Sequence, residues 1–220
     1  MRTIMGPMVV LGMLSALLPA PRVGAAELAV RVVDSRGQPV ADAVVTAWPR
    51  DDARPASRAP VRRTIDQKNL AFVPYLEVFR PGDEVVFRNS DSTRHHVYSF
   101  SPARRFDFVL APHESSPPQR LDRAGVVAVG CNIHDQMVAY LYVSDAPWIA
   151  RTDASGRAAL DKLRPGRYDV RAWQPRLKPG RAEPVQAVVL GAEPAAKALV
   201  FSLPLLPDPR RQFDREHMHY

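Results

Sequence analysis

The sequence predicts an all-β protein built from two β-sandwiches. After residue 27 helical periodicity is hard to find, whereas short apolar runs bounded by Gly, Pro, Asp and Asn recur along the chain. The chain also contains 22 prolines, which would interrupt long helices because proline lacks the backbone N–H that a helix needs. Strands at this spacing are typical of β-sandwiches.

The predicted strands coincide with the apolar runs, taken in chain order. They cover residues 28–33, 43–48, 75–79, 84–89, 96–100, 126–130, 138–143, 158–160, 168–173, 185–190 and 198–202. Between several of them lie turn sequences in which Gly supplies positive φ or Pro presets the corner, at 34–37, 80–83, 153–156 and 164–167.

Residues 1–26 differ from the rest of the chain. Arg2 precedes an almost wholly apolar run over 4–18, and small residues at 23–26 offer a cleavage point, which is the pattern of a secretory signal peptide. An uncleaved anchor is the weaker alternative, since a spanning helix needs roughly 20 apolar residues without the Gly and Pro found here. We therefore expect export to the periplasm, with no membrane contact after cleavage.

Charge and cysteine content narrow the function classes. A formal net charge of +7 favours acidic partners or surfaces. The arginines are scattered and no nucleic-acid-binding motif is present, so nucleic acid is not an expected partner. The single cysteine, Cys131, excludes an internal disulfide and leaves an exported thiol to be explained.

The run 131–137 places Cys131, His134 and Met137 at three-residue intervals. One thiolate, two imidazoles and a weak axial thioether form a trigonal copper centre, and His95 or His96 offers the second imidazole. Zinc also accepts Cys and His, but it makes little use of Met, so Met137 favours copper. Neighbours on a strand point to opposite faces, so His95 and His96 are alternatives.

Several motifs lie between residues 61 and 145: Phe72-Val73-Pro74, the 80–83 turn, the 85–89 strand, His95-His96-Val97 and the Cys-x-x-His-x-x-Met loop. In these motifs, residues 61–145 resemble a cupredoxin, a Greek-key β-sandwich that binds copper. This resemblance extends to the short spacing of the loop, which is similar to that of amicyanin. It implies one type 1 copper held by His95, Cys131, His134 and Met137. It also implies that His96 stands where relatives have an Asn that braces the ligand loop; in a register shifted by one, His96 is the ligand instead.

Residues 27–60 and 146–203 together resemble a small immunoglobulin-like or transthyretin-like sandwich of the carboxypeptidase regulatory type. The resemblance is carried by Thr152-Asp153, Gly156 and Pro165-Gly166-Arg167-Tyr168. The cupredoxin part would then be an insertion that begins in the Pro- and Arg-rich stretch 50–59. Residues 204–220 are expected to form a flexible tail with solvated histidines.

These features predict a one-electron carrier rather than an enzyme. One Cys and six His are too few for a multicopper oxidase. A Cys–His hydrolase would need an oxyanion hole and a group that orients the imidazole, and the sequence signals neither. Expected partners are redox proteins, either a donor dehydrogenase or a cytochrome. Proteins of this combined architecture are labelled methylamine utilisation proteins, which implies service to a dehydrogenase.

A rival prediction is an exported copper-binding accessory or interaction protein without redox shuttling. An accessory protein that acts as a copper chaperone should release Cu(I) to a recipient, whereas an electron carrier should bind copper tightly in both oxidation states. The resemblance to cupredoxins also implies that the imidazole edge of His134 is the electron exit. His113 lies in a loop and is expected at the surface.

Overall fold

A computed structural model describes residues 26–51, 58–134, 136–178, 180–191 and 197–210. These residues form the strands β1 Ala26–Asp34, β2 Val44–Pro49, β3 Arg62–Gln67, β4 Phe72–Val73, β5 Leu76–Phe79, β6 Asp83–Asn89, β7 His95–Ser99, β8 Phe106–Leu110, β9 Gln119–Leu121, β10 Gly125–Gly130, β11 Val138–Val143, β12 Trp148–Arg151, β13 Arg157–Leu163, β14 Gly166–Trp173, β15 Val185–Leu190 and β16 Lys197–Leu203. The all-β prediction is confirmed. The described residues include no helix of the length and apolar character that crossing a bilayer requires.

The first hydrophobic core, here called the flanking core, is built from both ends of the described chain. It lies between a three-stranded sheet of order β13-β1-β16 and a four-stranded sheet of order β12-β2-β14-β15. In β1 the alternate residues Leu28, Val30 and Val32 are buried and the residues between them are exposed, which follows from the two-residue period of a strand. Tyr168 and Phe201 fill the same core.

The second core, here called the central core, is built from residues 65–143. It lies between the sheets β4-β3-β6-β9 and β5-β11-β10-β7-β8. The β10–β11 hairpin defines the two ends of this core: Gly130 pairs with Val138 at one end, and Gly125 pairs with Val143 at the other. Because Cys131 and Met137 immediately follow and precede these strands, the cysteine loop lies at the Gly130 end.

A third cluster joins the two cores. Tyr75, Leu76 and Tyr142 are buried together with Val44 of the flanking sheet, and the ring of Trp173 lies 5.0 Å from that of Tyr142. At the Gly125 end of the hairpin, far from the cysteine loop, an open crevice of about 510 Å³ runs along this junction.

The structure adds strands that the sequence analysis did not predict, namely β3, β4, β8, β9 and β12. The first of these, Arg62–Gln67, is polar except for Ile65, so it lacks an apolar run. The predicted tail also differs in part, because Leu205 bridges to Leu177 and Arg210 stacks on Tyr75 at 3.9 Å. Residues 211–220, with the tail histidines, lie outside the described residues, as do residues 1–25 of the expected signal peptide.

Candidate metal centre

His95 is the first residue of β7, and its side chain faces the central core. The burial of β7 alternates, so that His95, Val97 and Ser99 face the core while His96 and Tyr98 face outward. His95 is fully buried. The alternation therefore selects His95, and not His96, as the imidazole that faces the cysteine loop.

The cysteine loop leaves β10 after Gly130 and rejoins the sheet at Val138. Two backbone hydrogen bonds close it: the Cys131 N–H donates to the Met137 carbonyl at 3.2 Å, and the Met137 N–H donates to the His134 carbonyl at 3.0 Å. A methyl group at Gly130 would lie 2.8 Å from the ring of Tyr98. Glycine therefore lets that ring lie against the backbone next to Cys131.

Three side chains converge at this end of the central core. The Cys131 Sγ lies 4.0 Å from Nδ1 of His95 and 3.8 Å from Nδ1 of His134, and one ligand atom from each residue lies within 4.8 Å of the others. The two imidazole rings are 5.1 Å apart at an interplanar angle of 64°. Cys131 and His95 are buried and His134 is partly exposed.

The spacing of these atoms fits a shared metal ion. Bonds of about 2.3 Å to sulfur and about 2.0–2.1 Å to imidazole nitrogen, at about 120°, place sulfur and nitrogen roughly 3.8 Å apart. The observed Sγ–Nδ1 distances of 3.8 and 4.0 Å match this trigonal arrangement. A thiolate with two imidazoles is also a donor set that soft and borderline metals prefer.

Met137 is buried in the same core cluster as Cys131. Its backbone is tied into the loop by the two hydrogen bonds described above, which fixes its position in the loop that carries Cys131 and His134. Ile133, between Cys131 and His134, is 48% exposed, and it places an apolar side chain at the surface next to His134.

The orientation of His95 depends on Asp91. The Nε2 of His95 lies 2.9 Å from Oδ2 of Asp91. A carboxylate only accepts hydrogen bonds, so this contact requires a proton on Nε2 and leaves Nδ1 as the nitrogen that faces Cys131. Burial raises the pKa of Asp91, but hydrogen bonds from His95, Leu70 and Asn69 outweigh it and hold that pKa below its ordinary value.

His96 does not take over the bracing of the ligand loop that the cupredoxin resemblance assigns to an Asn. Its Nε2 lies 2.6 Å from Oδ1 of Asp107 on β8, on the outer face of the sheet. Asn89 braces a different segment: its amide donates to the carbonyls of Thr93 and Ala111 and so ties down the loop that leads to His95. Asn89 is fully buried.

Sequence reasoning did not identify Asp91, Asn89 or Gly130 as parts of the site. The position of Asp91, four residues before His95, was the available signal, because a carboxylate near a metal-binding histidine commonly orients it. His113, predicted at the surface, is exposed.

No family model matches the chain, and no curated protein matches it significantly. Among solved structures, a purple cupredoxin from Nitrosopumilus maritimus is 19% identical, with a TM-score of 0.33 over 37% of this chain and 98% of its own. A Cu(I) form of an amicyanin mutant is 15% identical, with a TM-score of 0.36 over 45% of this chain and 99% of its own.

A copper-containing nitrite reductase from Thermus scotoductus SA-01 is 21% identical, with a TM-score of 0.36. The match covers 53% of this chain and 28% of the nitrite reductase chain. These likenesses are partial and concern the backbone fold. The case for a metal centre is carried by the side chains of this chain.

Proposed function

We propose that this protein is a periplasmic type 1 copper protein that carries single electrons between redox partners. His95, Cys131, His134 and Met137 would hold one copper ion. The observation that carries the proposal is the convergence of Cys131 Sγ with the Nδ1 atoms of two histidines at the separations that a trigonal metal requires. Copper bound there would accept and release one electron.

The surroundings of these residues suit reversible electron transfer. His95 and Cys131 are buried, so water is kept from the thiolate and from one imidazole. The loop hydrogen bonds fix the backbone at Cys131, His134 and Met137, and the Asp91 contact orients His95. All four proposed ligands are thus restrained, which limits rearrangement when the charge of the site changes. His134 is the most exposed of the three converging residues, and it offers the shortest route to a partner.

A carrier is a better proposal than an enzyme because the chain has a single cysteine and six histidines. That inventory supplies one thiolate-containing centre and few ligands for the further coppers that oxygen reduction would need. Because a carrier exchanges electrons with other proteins, its proposed partner is a redox protein, such as a dehydrogenase or a cytochrome.

The deciding experiment is a titration of the purified protein with one equivalent of Cu(II), followed by visible and electron paramagnetic resonance spectra. An intense blue thiolate-to-copper band with narrow hyperfine splitting supports the proposal. A colourless protein would return Cys131 to the role of a buried apolar residue. A blue protein that releases its metal on reduction would favour the copper-binding accessory function over the carrier.

Met137 is tested separately as the axial ligand. Met137→Leu keeps the volume of the side chain but removes the thioether, so the blue band should persist while the reduction potential rises. Cyclic voltammetry of wild type and variant measures the shift. An unchanged potential would remove Met137 from the proposed ligand set.

A further inference from the structure

Asp91 does more than accept one hydrogen bond from His95. Its Oδ1 accepts from the N–H of Asn69 at 2.6 Å, and its Oδ2 accepts from the N–H of Leu70 at 3.1 Å as well as from His95 Nε2 at 2.9 Å. The Asp91 side chain is 13% exposed, so these three donors replace most of its water. One carboxylate thus joins a metal-facing histidine to a backbone turn more than twenty residues earlier in the chain.

That turn is a tight two-residue hairpin connection between β3 and β4. Lys68 and Ala71 exchange both backbone hydrogen bonds, at 2.9 and 3.2 Å. Asn69 and Leu70 both have positive φ, of 55° and 54°, as a type I′ turn requires. Leucine is unusual at such a φ, and Leu70 is 38% exposed. The bonds to Asp91 compensate this backbone conformation, since they engage N–H groups that the hairpin itself does not use.

We propose that Asp91 is a positioning residue for the metal centre, which couples the surface turn Asn69–Leu70 to His95 and lowers the reduction potential through its negative charge. This inference rests on the proposed copper function. The turn clamps the carboxylate, the carboxylate keeps the proton on Nε2 of His95, and Nδ1 stays available to the metal. A negative charge beside the ligand stabilises Cu(II) more than Cu(I).

Asp107 provides a matched comparison within the same strand pair. It also accepts from a histidine Nε2, that of His96, at 2.6 Å, but its side chain is 61% exposed and His96 faces away from Cys131. A substitution at Asp107 therefore changes an equivalent carboxylate–histidine pair without reaching the metal-facing imidazole.

The charge is tested with Asp91→Asn and Asp107→Asn in the protein expressed from the full chain. The amide introduced by Asp91→Asn would have one carbonyl oxygen for three donors, so its own N–H must oppose one of them. With copper bound, D91N should favour Cu(I) about tenfold more than wild type does, a rise of about 59 mV for one electron, and D107N should not change the potential. Equal potentials in D91N and wild type would overturn the charge effect.

The positioning role is tested without copper, so that it can fail independently of the proposed function. Nitrogen NMR of the metal-free protein should show His95 as a single tautomer with its proton on Nε2. A proton on Nδ1 would overturn the proposal, even if D91N failed to fold. A wild-type protein with the expected tautomer that binds no copper would instead refute the proposed function.

The coupling to the turn is tested by a glycine inserted between Asn69 and Leu70. The longer turn should draw the two N–H groups away from Asp91, so the Nε2 proton of His95 should exchange with solvent about tenfold faster. A glycine inserted between Ser35 and Arg36, in a turn of the flanking core, serves as the control and should leave that exchange rate unchanged. If both insertions leave the rate at its wild-type value, the turn does not position Asp91.

Discussion

Thr152 beside the flanking core and Cys131 in the central core use their buried polar atoms in opposite ways. Thr152 is 3% exposed, and its hydroxyl donates to the Val40 carbonyl at 2.7 Å and accepts from the Ala43 N–H at 2.9 Å. In the central core, the Cys131 Sγ faces two imidazole nitrogens at distances longer than most hydrogen bonds. A buried polar atom that binds the backbone stabilises the fold, whereas buried donor atoms that face one another are arranged for a ligand.

Cys131→Ser should have the largest effect on the candidate metal centre. The hydroxyl of serine cannot replace a thiolate in a copper centre, so the blue absorption with Cu(II) should disappear entirely. Visible spectra of wild type and variant at equal copper loading measure this. A C131S protein that keeps an intense blue band would show that Cys131 is not the thiolate ligand.

Acid should lower the free energy of unfolding by protonating Asp83, which lies at the end of the central core away from His95 and His134. Burial raises the pKa of Asp83, but the ion pair with Arg58 at 2.5 Å and the N–H groups of Arg80 and Val61 hold that pKa below its ordinary value. A depressed pKa contributes stability above the unfolded value of about 3.9, and this stability is lost as the pH falls through the folded value.

Asp83→Asn should therefore lower the free energy of unfolding by about 2–3 kcal/mol at neutral pH. Its difference from wild type should shrink as the pH falls below about 4. Denaturant unfolding at several pH values measures both. A difference that stays constant between about pH 7 and about pH 3 would mean that the charge of Asp83 does not stabilise the fold.

Thr152→Val should lower the stability of the flanking core without affecting the metal centre. The variant keeps the shape but leaves the Ala43 N–H and one lone-pair site on Val40 without the hydroxyl, which should cost about 1–2 kcal/mol of unfolding free energy. The copper spectrum should remain that of wild type. Thr46→Val is the matched control, because the Thr46 hydroxyl is buried but accepts only a 3.3 Å bond from Trp48, so its loss should be smaller.

Arg210→Ala should have the smallest effect, and it tests the contact between the two cores. The guanidinium lies 3.9 Å above the ring of Tyr75 and 3.2 Å from Asp42, so it joins the central core to the flanking core. Because Arg210 is 40% exposed, its removal should cost only about 0.5–1 kcal/mol. Arg120→Ala, which breaks a more exposed pair with Asp122, should not change the unfolding free energy.

Most strands could be predicted because their residues are apolar or alternate visibly. The missed strand β3 shows the limit, since Arg62–Gln67 is held by pairing with β6 and not by an apolar pattern of its own. The ordered part of the tail is held by contacts distant in sequence, such as the Leu177–Leu205 bridge and the Arg210–Asp42 pair, which spans 168 residues, so it leaves no local signal.

The residues of the candidate metal centre also differ in how far the sequence predicts them. Cys131, His134 and Met137 are close in sequence, so their spacing could be interpreted directly, and strand alternation reduced the upstream choice to His95 or His96. The four-residue spacing of Asp91 and His95 gave a local signal for their contact. The contact between Asp91 and the turn at Asn69–Leu70 could not be predicted, because these two segments are more than twenty residues apart in sequence.

The position of β1 has a consequence for the order in which the protein assembles. β1 is the middle strand of its sheet, and its parallel neighbour β16 is the last strand of the described chain. The central core uses only residues that are contiguous in sequence. During synthesis, which begins at the N-terminus, the central core with its histidines can therefore fold first. The flanking core can form only later, when β16 has been made and can pair with β1.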